Sequence, residues 1–313
     1  MGYLLGVDLG GTKIEVGVVS REGVLGQRLR VPTPRGQGTA AVVDRIRAAM
    51  GEVLRRAEVA WGALDGVGVG APGPLDRQAG VILEAPNLPE LNGFPLAAAL
   101  AEGGVPLYLE NDANAAALGE YRFGAGRGSA DLVYVTVSTG IGGGIILGGR
   151  LYRGVSGTAG EVGHTVVEVE GPPCACGSRG CLETLASGTA IARQAAAALA
   201  AGRESVLAAE GLDAAAVYRA AGAGDVLARE ITERAGYYLG VGISNLINLL
   251  NPERVILGGG VVQAGRDLFD PVERAVRERA LKVPAAACRI LPAGLGQDAG
   301  VLGAAAVVLE QAG

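Results

Sequence analysis

An α/β protein of two duplicated lobes with a central cleft is the architecture this sequence predicts, and three observations predict it. The stretch "YLLGVDLGGTKIEVGVVS" (Tyr3–Ser20) reads as strand, glycine turn, strand, because β-branched and apolar residues resume at once after "GGTK". The same pattern returns at "DLVYVTVSTGIGGGIILGGRLYRG" (Asp131–Gly154). Each hairpin heads a segment that alternates apolar strands with helical periodicity, and no low-complexity linker separates the halves.

The remaining elements follow in order. "TAAVVDRIRAAMGEVLRRAE" (Thr39–Glu58) carries the 3.6-residue spacing of a helix. "LDGVGVGAPGP" (Leu64–Pro74) is a buried strand running into a Gly/Pro loop. "VPLYLEND" (Val105–Asp112) is a strand, and "ANAAALGEYRFG" (Ala113–Gly124) the helix after it. Ala-rich helices fill Leu185 to about Ala223, and a longer helix spans Val226–Leu250. "PERVILGGGVV" (Pro252–Val262) is a strand entering a glycine turn before another helix. "GQDAGVLGAAAVVLEQAG" (Gly296–Gly313) is a final helix, expected to return and brace the first lobe. The expected division is residues 1–114 plus about 297–313, and about 115–296.

Composition narrows the function. Of 313 residues 49% are hydrophobic and 19% charged, which suits a large core and argues against disorder. The 53 glycines cluster in short motifs, so they serve turns and ligand loops rather than repeats. The net charge is −5 with no basic tract, which makes nucleic acid and anionic membrane poor partners. Lysine occurs only at Lys13 and Lys282, and the first of these sits inside a glycine motif. The N-terminus lacks a basic signal-peptide region, and no apolar run reaches the ~18 residues of a membrane span. A cytoplasmic protein with reduced thiols is expected. Three cysteines within eight residues then point to metal rather than disulfides.

Four motifs carry chemistry. "DLGGTK" (Asp8–Lys13) is either a tight hairpin alone or a phosphate contact. In the second reading Gly10 and Gly11 let backbone N–H groups approach an anion, Thr12 adds a hydroxyl and Lys13 a charge. Asp8 could hold a hydrated Mg²⁺ against the phosphates. "STGIGGG" (Ser138–Gly144) is a second loop of that kind, with Thr139, Gly140 and Gly142 as its candidates. "LGGG" (Leu257–Gly260) either lets a helix pack closely or presents Gly258, Gly259 and Gly260 as bare backbone to a nucleoside. In "LENDAN" (Leu109–Asn114), Asp112 is a good helix N-cap and also a candidate general base. Asn111 beside it offers a donor and an acceptor for a sugar hydroxyl.

The only histidine, His164, lies in "GEVGH", ten residues before "CACGSRGC". The spacing H-x9-C-x-C-x4-C joins His164, Cys174, Cys176 and Cys181 into a closed tetrahedral Zn²⁺ site. All four positions are filled by protein, so this zinc is structural. Gly177 and Gly180 permit the sharp turns, and Glu161 and Glu183 flank the loop, able to accept from hydroxyls. Cys288 lies far off in sequence and reads as a core residue.

Assembled, these residues resemble the ROK family of repressors, open reading frames and kinases, and within it the glucokinases. The likeness runs over essentially the whole chain through "DLGGTK", "APGP", "LENDANAAALGE", "STGIGGG", "GEVGH", "CACGSRGCLE" and "VILGGG", in that order. It implies the hexokinase/actin-like (ribonuclease H-like) fold, ATP with Mg²⁺, and glucose phosphorylated at its 6-hydroxyl. It implies Asp112 as base, with Gly73, Asn87, Asn111, Glu161, His164 and Glu183 as sugar contacts and His164 doubling as zinc ligand. It also implies a homodimer or homotetramer. Other hexoses and N-acetylhexosamines are the alternative substrates. After "PNLP" many relatives carry Trp, where this chain has "ELNGF" with Leu91. A sugar-responsive regulator would need a DNA-binding domain ahead of the hairpin that begins at Tyr3, so a kinase is the expectation.

Overall fold

The computed structural model describes residues 2–311. They divide into two compact units, residues 2–130 with 144–159 and 294–311, and residues 131–143 with 160–293.

The first stretch runs β1 (Tyr3–Leu9), β2 (Lys13–Ser20), β3 (Leu25–Pro32), α1 (Thr39–Ala57), β4 (Leu64–Ala71), β5 (Leu75–Asp76), β6 (Val81–Ile82), α2 (Leu96–Leu100), β7 (Leu107–Asn111) and α3 (Asp112–Phe123). Its sheet has the order β3-β2-β1-β4-β7, with β1, β2 and β3 antiparallel and β1, β4 and β7 parallel. The apolar run Tyr3–Val7 of β1 is explained by burial on both faces. Leu5 and Val7 join a core with Val42, Ile46 and Met50 of α1, whereas Leu4 packs with residues of the C-terminal helix. That helix lies so close that a Cβ on Gly6 or Gly68 would overlap the carbonyls of Val301 or Ala304.

The chain continues through β8 (Leu132–Val137), β9 (Ile141–Leu147), β10 (Arg150–Tyr152), α4 (Leu182–Ala186), α5 (Gly188–Ala200), α6 (Ala214–Gly222), α7 (Val226–Leu250), β11 (Arg254–Gly258), α8 (Arg266–Arg279), α9 (Lys282–Ala287), β12 (Arg289–Pro292) and α10 (Ala299–Gln311). The second sheet, β10-β9-β8-β11-β12, repeats the order of the first. Helix α7 fills the span expected from its periodicity. Asp225 caps its start by accepting from the Ala228 amide at 2.8 Å, and Asn251 ends it in the left-handed conformation at φ 46°.

Strand β3, to which the sequence reading assigned nothing, is an edge strand whose half-buried Leu29 and Val31 pack on the core while Arg28 and Arg30, alternating with them, are exposed. The expected boundary near residue 114 falls instead at 130. Helix α3 packs against α10 where Gly119 faces Gly303, which keeps the whole helix in the first unit. The expected boundary near 296 likewise falls at 293, and residues 144–159 belong to the first unit.

Candidate active site

The corner between β7 and α3 places the carboxylate read as a base. Asn111, not Asp112, is the N-cap: its Oδ1 accepts from the amides of Ala113 at 3.0 Å and Asn114 at 3.2 Å. Asp112 takes the first helical position, inside the helix that Asn111 caps, and shares only the Ala113 amide with it. It remains exposed, its Oδ1 accepting from the Ala113 amide at 2.8 Å, and the helix N-terminus favours its negative charge. The Asn111 Nδ2 donates to the Gly73 carbonyl at 3.4 Å, which ties the "APGP" loop to the corner.

The "GGTK" turn of the same unit is braced from outside. Gly10 N–H bonds the Lys13 carbonyl at 2.9 Å, Thr33 N–H bonds the Thr12 carbonyl at 3.1 Å, and the Thr33 hydroxyl bonds the Gly10 carbonyl at 2.7 Å. Asn87 packs on Gly11, where a Cβ would come within 2.8 Å of its own. The Lys13 ammonium is held by Glu15 at 2.7 Å, and Arg30 grips the other oxygen of that carboxylate at 2.5 Å. Burial acts upward on Glu15, but Lys13 and Arg30 hold its carboxyl below the usual range. Asp8 behaves oppositely. Burial first, then the charges of Asp112 and Glu15, push its carboxyl up to about 6. A half-buried carboxylate beside another carboxylate is a donor set that a divalent cation suits, and Asp8 also lies against Gly300 in the first turn of α10.

In the second unit the ligand atoms of His164, Cys174, Cys176 and Cys181 all lie within 4.8 Å of one another. Cys174 Sγ is 3.6 Å from His164 Nδ1, and Cys176 Sγ is 3.7 Å from Cys181 Sγ. A tetrahedron with metal–sulfur bonds of ~2.3 Å and metal–nitrogen bonds of ~2.0–2.1 Å requires about 3.5 Å and about 3.8 Å for those separations. The residues therefore fit zinc, with Nδ1 turned to the metal and Nε2 left over. Gly177 (φ +91°) and Gly180 (φ +66°) make the turns, and a Cβ on Gly180 would overlap the Glu168 carbonyl. Burial pushes the Cys181 thiol up to about 12, while a backbone hydrogen bond from Ser178 and the Cys174 thiol draw exposed Cys176 down to about 7. Cys288 is half-buried and outside this cluster, its thiol pushed up to about 11 by burial.

The same unit links the zinc loop to the β8–β9 turn. Glu183, in the first turn of α4, accepts from the Ile141 amide at 2.8 Å, and a Cβ on Gly140 would overlap its carboxylate. Gly188 N–H donates to the Ser138 carbonyl at 2.8 Å, which fastens the turn to the start of α5. Gly163 packs on the Ile141 carbonyl, bringing the Glu161–His164 segment to that turn, with both end residues exposed. A cavity of about 750 Å³ opens beside it. Of the residues expected to touch a nucleotide, Thr139 and Gly260 line this cavity. Gly140, Gly142, Gly258 and Gly259 do not, and Gly259 turns at φ +88° against the Val137 carbonyl. Thr189, Tyr218, Gln263 and Asp267 line it too, although no glycine motif marks them in the sequence. Leu91 is fully buried, so its side chain is committed to the first unit's core.

Two α/β units with the same strand order, each opened by a glycine-turn hairpin, define the hexokinase/actin-like class of phosphotransferase folds. The chain belongs to the ROK family, whose pattern it matches over residues 4–311. It is 39% identical to a glucokinase of Thermotoga maritima over 99% of this chain and 98% of that one. The crystal structure of a ROK hexokinase from Thermus thermophilus superposes with a TM-score of 0.83 at 39% identity, covering 99% of each chain. A ROK family glucokinase from Streptomyces griseus, crystallised in complex with glucose and AMPPNP, gives a TM-score of 0.82 at 37% identity, covering 98% of this chain and 99% of that one.

Proposed function

We propose that this protein is a glucokinase that transfers the γ-phosphoryl group of ATP to the 6-hydroxyl of glucose. The observation that carries the reading is full-length kinship with glucokinases, combined with an exposed Asp112 on a rigid strand-to-helix corner. Asp112 accepts the proton of the 6-hydroxyl as that oxygen bonds to the γ-phosphorus. The bond from phosphorus to the β,γ-bridging oxygen breaks, and ADP leaves. Positioning and charge neutralisation supply most of the catalysis in such a loose transition state.

Asn87, Asn111, Glu161, His164 and Glu183 hold the sugar hydroxyls, with the Gly73 backbone beside them. The "GGTK" and "STGIGGG" turns and the "LGGG" segment receive the nucleotide, and the cavity lined by Thr139 and Gly260 is the place for its base and ribose. Asp8 would hold Mg²⁺, which neutralises phosphate charge when bound. Release of Lys13 from Glu15 would turn its ammonium to the phosphates. His164, Cys174, Cys176 and Cys181 would hold Zn²⁺ with no open position, so its contribution is to the shape of the loop. The protein works in the cytoplasm as a homodimer or homotetramer; among the described residues no helix is long and apolar enough to cross a membrane.

The test is a coupled assay with ATP against glucose, mannose, fructose, N-acetylglucosamine and N-acetylmannosamine. Glucose is expected to give the highest kcat/KM. A higher value for a hexosamine would reassign the substrate, and no turnover with any sugar would sink the reading. Light scattering decides the assembly.

A further inference from the structure

Glu110, the residue before the Asn111–Asp112 corner, is a buried charge to which the proposed reaction gives no role. Only 1% of its side chain is exposed. Its Oε1 accepts from the Asn111 amide at 3.1 Å and from Asn114 Nδ2 at 3.3 Å. Its Oε2 accepts from Arg153 Nε at 2.9 Å and ion-pairs with Arg77, whose Nε lies 3.0 Å away and donates to the Leu109 carbonyl at 3.3 Å. Both oxygens are therefore doubly engaged. Arg153 also ion-pairs with Glu310 near the end of α10, and its carbonyl accepts from the Ala159 amide at 2.9 Å. Two arginines and two glutamates leave the network neutral. It joins the β5–β6 turn, the end of β7, the first turn of α3, the segment after β10 and α10, all within one unit.

A buried carboxylate is costly unless paired and hydrogen-bonded. Stability alone asks for any partner, whereas these partners bear on one place. The same carboxylate takes the backbone N–H of Asn111 and the side chain of Asn114, on either side of Asp112. The geometry points to Glu110 and Arg153 as positioning residues that fix the direction of Asp112, an inference that rests on Asp112 being the base. Glu310 meets the same Arg153 Nη2 that faces Glu110 but, among the described residues, hydrogen-bonds no group of the corner, so its part is to anchor α10.

Three variants separate the two halves: Arg153→Met, Arg153→Lys and Glu310→Gln. A displaced base costs on the order of 10–100-fold in rate. Arg153→Met is expected to lose about that much kcat with KM for ATP within about twofold. Arg153→Lys, a single point charge, should recover part of the loss. Glu310→Gln should lower Tm while kcat stays within about twofold. Hydrogen exchange over residues 111–116 reads the corner without any turnover. It should quicken in both Arg153 variants and not in Glu310→Gln, whichever sugar proves to be the substrate. If Arg153→Met does not fold, the comparison of Arg153→Lys with Glu310→Gln decides. Equal kcat and equal exchange in those two, or wild-type kcat in a folded Arg153→Met, would overturn the inference.

Discussion

The corner at β7–α3 and the loop at residues 164–181 both hold side chains in fixed places, by opposite means. At the corner, regular backbone does it. A parallel strand ends, a helix begins, and Asn111 and Asp112 inherit their directions from hydrogen bonds that the fold makes anyway. The loop has no such frame. Only single bridges, Val166 with Cys181 and Pro173 with Arg179, interrupt its irregular course. Four ligand atoms gathered around one point replace the missing ladder. A helix end positions one group at little cost, whereas a loop without secondary structure needs a chelate to repay its ordering entropy.

Asp112→Asn should show the largest effect. Removing a general base typically costs on the order of 10² to 10⁴ in rate. Thermal unfolding and zinc content should match the wild type, because Asn111 and not Asp112 caps α3. A variant with kcat within a few fold of wild type would remove Asp112 from its role.

Cys176→Ser should do the reverse. Elemental analysis should find one Zn²⁺ per wild-type chain and clearly less in the variant, with a lower Tm and an undisturbed β7–α3 corner. A fully active protein that is stoichiometrically free of zinc would contradict the chelate.

Asp8 tests the first unit by pH. Its carboxyl titrates near 6 in the folded chain against a reference of 3.8. Between those values the unfolded chain has released a proton that the folded chain retains. Its contribution to stability is therefore full below about pH 4 and lost as pH rises through about 6. The loss is roughly 2–3 kcal/mol at ~1.36 kcal/mol per pH unit. Asp8→Asn should flatten that part of the profile relative to wild type. Saturating Mg²⁺ and nucleotide should flatten it as well, since a cation favours the ionised form. Parallel wild-type and variant profiles would refute the burial argument.

His164→Cys should have the smallest effect and would sharpen the comparison most. It can preserve four ligands while deleting the Nε2–H that Nδ1 ligation leaves over. A sugar acceptor left unpaired should cost roughly 1–3 kcal/mol, about 5- to 150-fold in affinity. Calorimetry beside zinc analysis would read both. Full zinc with unchanged sugar affinity would make His164 a metal ligand and nothing more.

Much of this molecule was legible in the sequence because it depends on neighbours along the chain. The glycine-turn hairpins, the span Val226–Leu250 of α7 and the four-residue ligand cluster within residues 164–181 all follow from patterns inside short continuous stretches, where local backbone geometry leaves little freedom. Even there the cap at Asn111 was misplaced by one residue, since Asn and Asp are near-equal caps and only backbone dihedrals distinguish them. The tertiary structure alone decided the rest. It keeps α3 with the first unit through α10, brings Glu183 to Ile141 across 42 residues, and joins Arg153 to Glu310 across 157. It also opens the cavity where Tyr218 and Asp267 meet Thr139. No periodicity encodes such contacts. They form between residues that are strangers in sequence, and only the packing of whole elements brings them within hydrogen-bonding reach.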